Sequence, residues 1–299
     1  MVGEVLSTLQ VNPSGSYVDC TLGEGGHASA ILSATDPPPR LLGIDLDLEA
    51  LESATGRLGE FSRSFVAEQG NFANVRDIAR RHGFEPADGI LFDLGLSSLQ
   101  VDTAARGFSF RKEARLDMRF DTSQMLSAAE VVNGFPESEL ADVIYRYGEE
   151  RRSRRIASAI VRNRPLDTTT QLAEVISRVL GGPSGRRIHP ATKTFQAIRM
   201  AVNGELDNVE KGLDQAIEVL REGGRIVVIS YHSLEDRLVK GVLRRGASRC
   251  ICPPEIPMCV CGHEPALRLV SRRVIRPDPE EIRMNPRSRS ARLRVAERI

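Results

Sequence analysis

The stretch from Ser16 to Ala34, S-Y-V-D-C-T-L-G-E-G-G-H-A-S-A-I-L-S-A, constrains the fold more than any other part of the chain. A short apolar run meets a glycine-rich turn and then enters a helix-forming segment. Gly23, Gly25 and Gly26 remove side chains where the backbone must bend sharply, and they let a ligand approach main-chain N–H groups. About twenty residues later, L-L-G-I-D-L-D puts Asp45 at the end of a second strand, where a carboxylate can accept hydrogen bonds from ribose hydroxyls. Together these features point to a nucleoside-bearing cofactor held at the edge of a parallel sheet.

The surrounding pattern agrees. Apolar strand runs appear at Tyr17–Cys20, Leu41–Asp45, Phe65–Ala67 and Gly89–Asp93, separated by helical stretches near 25–34, 47–59 and 72–82. Such alternation predicts β-α units with helices on both faces of the sheet. The fourth strand ends at Asp93, on the side of the sheet where ligands bind. From about Val101 the pattern is lost, and residues 127–202 read as successive helices. Pro136, the threonines at 168–170 and His189-Pro190 serve as helix starts. The sheet pattern resumes with a helix over 206–220, a Gly223-Gly224 stop, the buried strand R-I-V-V-I-S and a final alternating strand. The expected organisation is a discontinuous α/β domain, 1–103 and 203–299, interrupted by an all-helical insertion, 104–202.

With 299 residues the chain can bury a substantial core, and its 41% hydrophobic and 27% charged content is that of a soluble globular protein. The first residues lack a basic signal-peptide start and no apolar run reaches membrane length, so a cytoplasmic protein without membrane attachment is expected. The net charge of +1 conceals an asymmetry: residues 1–100 carry 6 basic and 14 acidic side chains, and the remainder carry 35 and 26. Residues 146–164 hold seven arginines against two glutamates, and residues 268–299 hold ten against four acids. Such stripes fit a polyanion binder, with solvated helix faces as the alternative.

Five cysteines are present. Cys20 fits a buried strand position. Cys250, Cys252, Cys259 and Cys261 form two C-x-C pairs that could hold a structural zinc, but a usual knuckle has at least two residues between paired ligands. The spacing favours a reduced, turn-rich flap stiffened by Pro253, Pro254 and Pro257, with no metal.

G-E-G-G-H-A also fits the G-x-G-x-x-[GA] pattern of a nicotinamide dehydrogenase, and Asp45 suits either cofactor. The other signals favour S-adenosylmethionine: Phe72 after the third strand can stack on an adenine, and the closing alternating strand suits the methyltransferase version of the sheet.

A more specific resemblance runs in order from about residue 3 to residue 299. G-E-G-G-H-A, G-I-D-L-D, D-G-I-L-F-D-L-G-L-S-S-L-Q-V-D, R-G-F-S-F, L-D-M-R, Y-G-E-E-R, H-P-A-T-K-T-F-Q-A-I-R, I-S-Y-H-S-L-E-D-R and N-P-R-S-R-S-A-R-L-R together resemble one family. It is the bacterial small-subunit ribosomal RNA (cytosine-N4)-methyltransferase H family. The resemblance implies a Rossmann-like class I methyltransferase sheet with an inserted helical domain for RNA recognition. It also implies S-adenosylmethionine as donor and, as acceptor, a cytidine in the decoding region of the RNA or assembled small subunit. Matched by motif, the implied cofactor contacts are Gly25, Gly26, His27, Asp45, Phe72, Asp93 and Gln100. Two features depart from the family pattern. The chain starts inside the opening block, and Leu99 stands where proline or histidine is more usual.

Methylating the cytosine amine requires in-line placement of nitrogen, methyl and sulfur, and an acceptor for the amine proton. Asp93 is the first candidate for that acceptor. Asp117 in L-D-M-R and His232 in S-Y-H-S-L-E-D-R follow, with an ion pair to Arg115 or Arg119 and a structural histidine as their respective alternatives. His27 is better suited to orienting the turn or the cofactor. Arg151, Arg152, Arg154 and Arg155, with the basic C-terminal stretch, are candidate phosphate contacts. A dehydrogenase and a non-catalytic RNA-binding assembly factor are the competing function classes.

Overall fold

The computed structural model describes residues 1–182, 189–253, 255–256 and 258–299. The first half of the sheet domain runs α1 (Val2–Leu9), β1 (Ser16–Asp19), α2 (Gly26–Leu32), β2 (Arg40–Asp45), α3 (Leu48–Arg57), β3 (Phe65–Gln69), α4 (Val75–Arg81) and β4 (Ala87–Asp93). The inserted segment contributes α5 (Ser98–Asp102), α6 (Ala128–Gly134), α7 (Glu137–Gly148), α8 (Ser153–Arg162), α9 (Thr169–Leu180) and α10 (Thr192–Asn203). The chain returns through α11 (Glu205–Val219), β5 (Leu220–Ser230), α12 (Ser233–Gly246), β6 (Leu267–Leu269), α13 (Pro279–Met284) and β7 (Arg292–Arg298).

Among the described residues the seven strands form one sheet in the order β3-β2-β1-β4-β5-β7-β6. Neighbours from β3 to β5 are parallel, and β7 pairs antiparallel with both β5 and β6. This is the Rossmann-like sheet of class I methyltransferases, with the last strand slotted between two earlier ones. The side-chain period of two sorts the strand residues onto two cores. Val18, Leu42, Ile44, Ile90, Phe92, Ile226 and Val228 face one cluster with α4, α11 and α12. Tyr17, Leu41, Leu91, Val227 and Ile229 face the other with α1, α2 and α3. Burial on both faces explains why these strands read as near-continuous apolar runs.

By internal contacts the chain divides into Met1–Gly95 with Leu206–Ile299, and Leu96–Glu205. The second unit starts earlier than the 104–202 expected from sequence. The segment after α5 is tied into that unit: Arg106 donates to the Arg119 and Phe120 carbonyls, and the Asn203 amide bonds Met118 O and Phe120 N. The aperiodic stretch after α5 is therefore ordered by a short 3-10 turn at Ala104–Arg106 and by irregular backbone and side-chain bonds, such as Met118 N–H to the Arg106 carbonyl, rather than by a long helix or ladder. Its helices surround a separate core that includes Leu140, Ile144, Ile156, Ile160, Leu172, Ile176 and Phe195. Thr168 caps α9 in a reciprocal box with Gln171, as the threonine cluster predicted.

The stop at Gly223-Gly224 is placed differently from the sequence expectation. α11 ends at Val219, and Leu220 already pairs with Ala87 before a register shift brings Arg225 opposite Gly89. The glycine pair sits inside this bulge. Gly223 has φ +75°, and a Cβ on Gly224 would approach the Arg221, Ala87 and Asp88 carbonyls at 2.9, 3.0 and 3.2 Å. Because all three neighbours are backbone, Gly224→Ala is expected to destabilise the protein by about 1–3 kcal/mol in thermal or urea unfolding. Gly134→Ala, whose new Cβ meets nothing within 4 Å at an exposed helical position, should be neutral or stabilising by up to about 1 kcal/mol.

Candidate cofactor and active site

The glycine turn is fastened to β2 by two hydrogen bonds. Leu22 N–H donates to the Ile44 carbonyl at 3.0 Å, and Gly23 N–H donates to Asp45 Oδ2 at 2.8 Å. The second Asp45 oxygen accepts the Asp47 N–H at 2.9 Å, and Asp47 in turn caps α3 through Glu49 N–H. Gly25 then enters α2 with φ +76°, a conformation that strains any side chain, while a Cβ at Gly26 would meet open space. Burial raises the pKa of Asp45 against the opposing effect of its backbone donors from Asp47 and Gly23.

Beside the turn, the ends of β1, β4 and β5 bring a second group together. Asp93 N–H donates to Thr21 Oγ1 at 2.6 Å, which fixes the end of β4 against the end of β1. The Tyr231 hydroxyl donates to Asp93 Oδ1 at 2.9 Å, and His27 Nε2 lies 3.5 Å from Asp93 Oδ2. Asp19 is fully buried behind them. One of its oxygens accepts the Thr21 N–H, and among the described residues Oδ2 has no hydrogen-bond partner, as is also true of the buried His27 Nδ1. Burial pushes Asp19 up to about 7; the His27 imidazole and the Thr21 N–H oppose this, and the Asp93 and Asp45 charges add to it. Burial also works against the charged form of His27, but the Asp93 carboxylate and then Asp19 raise its pKa above the usual value. Tyr231 is held protonated by burial and by the adjacent Asp93 charge.

The first unit thus gathers Gly25, Gly26, His27, Asp45 and Asp93 at the carboxyl ends of β1, β2 and β4. Phe72 follows β3, half-buried, with its ring edge-on to Phe92 at 5.5 Å. Three of the sequence candidates have other structural employment. Gln100 lies in the inserted unit, where its side chain closes the capping box of α5 with Ser97. Asp117 forms a two-pronged pair with Arg119 at 2.8 and 2.7 Å; burial works to raise its pKa, but Arg119 holds it below the usual carboxylate range. His232 caps α12, its Nδ1 accepting the Glu235 N–H, while Glu235 accepts Tyr231 N–H and His232 N–H in return.

Sequence reasoning passed over Asp19, Thr21 and Tyr231. Asp19 stood inside an apolar run that fitted a buried strand, and Tyr231 directly follows β5 in a motif chosen for its histidine. A carboxylate at the end of β1, one residue before the run ends, was the available signal.

The charge on Asp19 carries a linked stability effect. A carboxyl raised to about 7 in the folded state holds a proton there that the unfolded chain has already lost, so its contribution to stability falls as pH rises from about 4 to 7. Asp19→Asn keeps an oxygen for Thr21 N–H and removes that burden. Its melting temperature should exceed that of the parent at pH 8, with the gap narrowing steadily toward pH 5; a gap independent of pH would show that Asp19 is not the titrating group.

The model of the MraW methylase family matches residues 1–299. A curated protein from Dehalococcoides mccartyi named ribosomal RNA small subunit methyltransferase H is 56% identical over 299 residues, covering 100% of this chain and 85% of the relative. Proteins of the same name from Thermomicrobium roseum and Geobacter sulfurreducens are each 50% identical, over 302 and 303 residues, with 100% of this chain and 92% and 97% of the relatives covered. With a family model spanning every residue and relatives at half identity along their shared length, the chain belongs to the MraW methylase family.

Proposed function

We propose that this protein transfers a methyl group from S-adenosylmethionine to the exocyclic N4 of a cytidine in the decoding region of small-subunit ribosomal RNA. The observation that carries the reading is the acidic, end-of-strand site around the glycine turn in a chain of this methylase family. Asp45 and Asp93 line it, with Asp19 buried behind, and the basic group beside Asp93 and Asp19 is His27. A pyrophosphate would meet this lining with unfavourable charge, whereas a sulfonium and its ammonium group meet it with favourable charge. That contrast, with the family membership, sets aside the nicotinamide alternative.

The roles follow from the geometry. Gly25 and Gly26 leave the backbone open to the donor, and Asp45 offers its remaining lone pairs to ribose hydroxyls while holding the turn. Phe72 offers a ring to the adenine. His27, raised in pKa by Asp93, orients that carboxylate. When bound, S-adenosylmethionine supplies an electrophilic methyl on a cationic sulfur. Asp93, fixed by Tyr231 and by Thr21, accepts the hydrogen bond of the cytidine amine and localises its lone pair as the N–H proton is lost. Gln100 as a further donor contact rests on the family motif alone, and Asp117 and His232 act through the pair and the cap that hold their local backbone.

RNA recognition is assigned to the inserted unit, Leu96–Glu205. α8 begins with arginines where the helix dipole disfavours positive charge, and no acidic residue stands in its first turn. Arg151, Arg152, Arg154 and Arg155 are exposed, and among the described residues their guanidinium groups make no hydrogen bond or ion pair; the Arg152 backbone N–H donates to Glu150 Oε1 at 2.9 Å. Arg164 from the same stretch is different, since it donates to the Val132 and Phe135 carbonyls at the end of α6. The C-terminal basic stretch is also partly neutralised internally: Arg292 and Arg294 pair with Asp236, and Arg268 pairs with Glu297. A cavity of about 340 Å³ beside the Asp236-paired Arg294 keeps a basic lining through Lys240, Arg244 and Arg272. Among the described residues no helix is long and apolar enough to cross a membrane.

Transfer of tritiated methyl groups to small subunits, naked ribosomal RNA and DNA, followed by nucleoside analysis, tests the reading. N4-methylcytidine from the small-subunit substrates is expected. Label in another nucleoside overturns the acceptor, and binding of RNA without transfer would establish a non-catalytic assembly factor instead. Asp93→Asn should lower turnover by at least about 100-fold in a protein that still melts cooperatively. Alanine at Arg151, Arg152, Arg154 and Arg155 should weaken RNA binding and reduce its logarithmic salt slope by roughly 0.7–0.9 for each phosphate no longer neutralised, with donor affinity unchanged.

A further inference from the structure

Between α12 and β6 the chain runs through residues 247–266 with neither helix nor strand among the described residues. A connection of about 20 residues without secondary structure needs a reason to hold its shape. Its base is closed by Ala266 N–H to the Gly246 carbonyl and by His263 Nε2 to the Arg245 carbonyl. Hydrophobic burial does not hold the rest: Met258 and Val260 are 78% and 76% exposed, and Ile251 and Ile256 are exposed as well. Pro254 and Pro257, which sequence reading credited with stiffening this flap, lie outside the described residues.

What the segment does gather is sulfur. The Sγ atoms of Cys250, Cys252, Cys259 and Cys261 all lie within 4.8 Å of one another, with Cys259–Cys261 at 3.5 Å and Cys261–Cys250 at 3.9 Å. A tetrahedral zinc with Zn–S bonds of about 2.3 Å sets its sulfurs about 3.8 Å apart, whereas a disulfide brings them to about 2.0 Å. All four cysteines are free. The two C-x-C arms pass each other with reciprocal bonds, Ile251 N–H to Cys261 Sγ at 3.5 Å and Val260 N–H to Cys252 Sγ at 3.4 Å. Cys252 N–H reaches Cys250 Sγ at 3.4 Å. Backbone N–H groups aimed at sulfur favour the thiolate that a metal requires.

The short spacing within each pair is no obstacle in this geometry. A two-residue gap is needed when both ligands come from one tight turn. One intervening residue in extended backbone keeps the two side chains on the same face, so each C-x-C arm can chelate as a unit. We propose that Cys250, Cys252, Cys259 and Cys261 bind one zinc ion in a closed tetrahedral site that holds the 247–266 segment in place. Four protein ligands leave no open position, so the site is structural rather than catalytic. Zinc is favoured over harder divalent ions by the all-thiolate ligand set. This site is independent of the methyl-transfer reading.

The full-length protein, purified under reducing conditions without added zinc and desalted, should contain about one zinc per chain by elemental analysis. Replacement by cobalt should give the intense visible absorption of tetrahedral thiolate coordination. Cys259→Ser should weaken zinc binding at least about tenfold while helical circular dichroism is kept, and Cys20→Ser, in the sheet core, should leave it unchanged. Chelation should open residues 247–266 to trypsin. Failure of the reduced protein to retain zinc after zinc loading would overturn the proposal. So would an octahedral cobalt spectrum, zinc retained at full affinity in Cys259→Ser, or native disulfides among the four cysteines.

Discussion

The Asp45 carboxylate holds the carboxyl end of this sheet together. Its two oxygens take N–H groups from Gly23 and Asp47, which belong to loops following different strands. Each donor would otherwise be stranded at a partly buried turn, where an unpaired peptide group costs about 1–3 kcal/mol. With both satisfied, the glycine turn is pinned to β2 and Asp47 is set to cap α3. The path of the chain into α2 follows, and with it the placement of His27 toward Asp93.

The same construction concentrates negative charge. Asp19, Asp45 and Asp93 lie together because β2, β1 and β4 are adjacent parallel strands whose carboxyl ends stand side by side, and His27 compensates Asp19 and Asp93 in part. Folding therefore accepts an electrostatic burden at this end of the sheet. The inserted unit shows the opposite sign, with arginines at the start of α8 where the helix dipole opposes them. Charge is thus segregated against local preference in both units, acidic at the strand ends of the first and basic at the start of α8 in the second.

Much of the sheet was legible because its strands are buried on both faces and its helices carry recognisable caps. The ends of Tyr17–Cys20, Leu41–Asp45, Phe65–Ala67 and Gly89–Asp93 all fall within two residues of those of β1 to β4. β6 was not legible, since Leu267–Leu269 is too short to show a period and exists only by pairing with β7. α12 was hidden because its start is signalled by His232, an unusual cap. In the site, the glycine turn and Asp45 could be read from spacing that local backbone geometry demands. Tyr231 could not, because its importance lies in a hydrogen bond to Asp93, 138 residues away, and the weight of Asp19 shows only in its burial beside His27 and Asp93.

The sequence by itself determined the β-α alternation, the glycine turn, the carboxylates closing β2 and β4 and the helical character of the insertion. All of these depend on period, capping or chain stiffness within a few residues. Tertiary structure decided which charges remain available. It set Arg292 and Arg294 against Asp236, Asp117 against Arg119, and left Arg151, Arg152, Arg154 and Arg155 exposed. It also brought four sulfurs from two C-x-C arms within 4.8 Å, which spacing alone argued against. Pairing and chelation depend on distance in space, and chain order does not encode that distance until the backbone is folded.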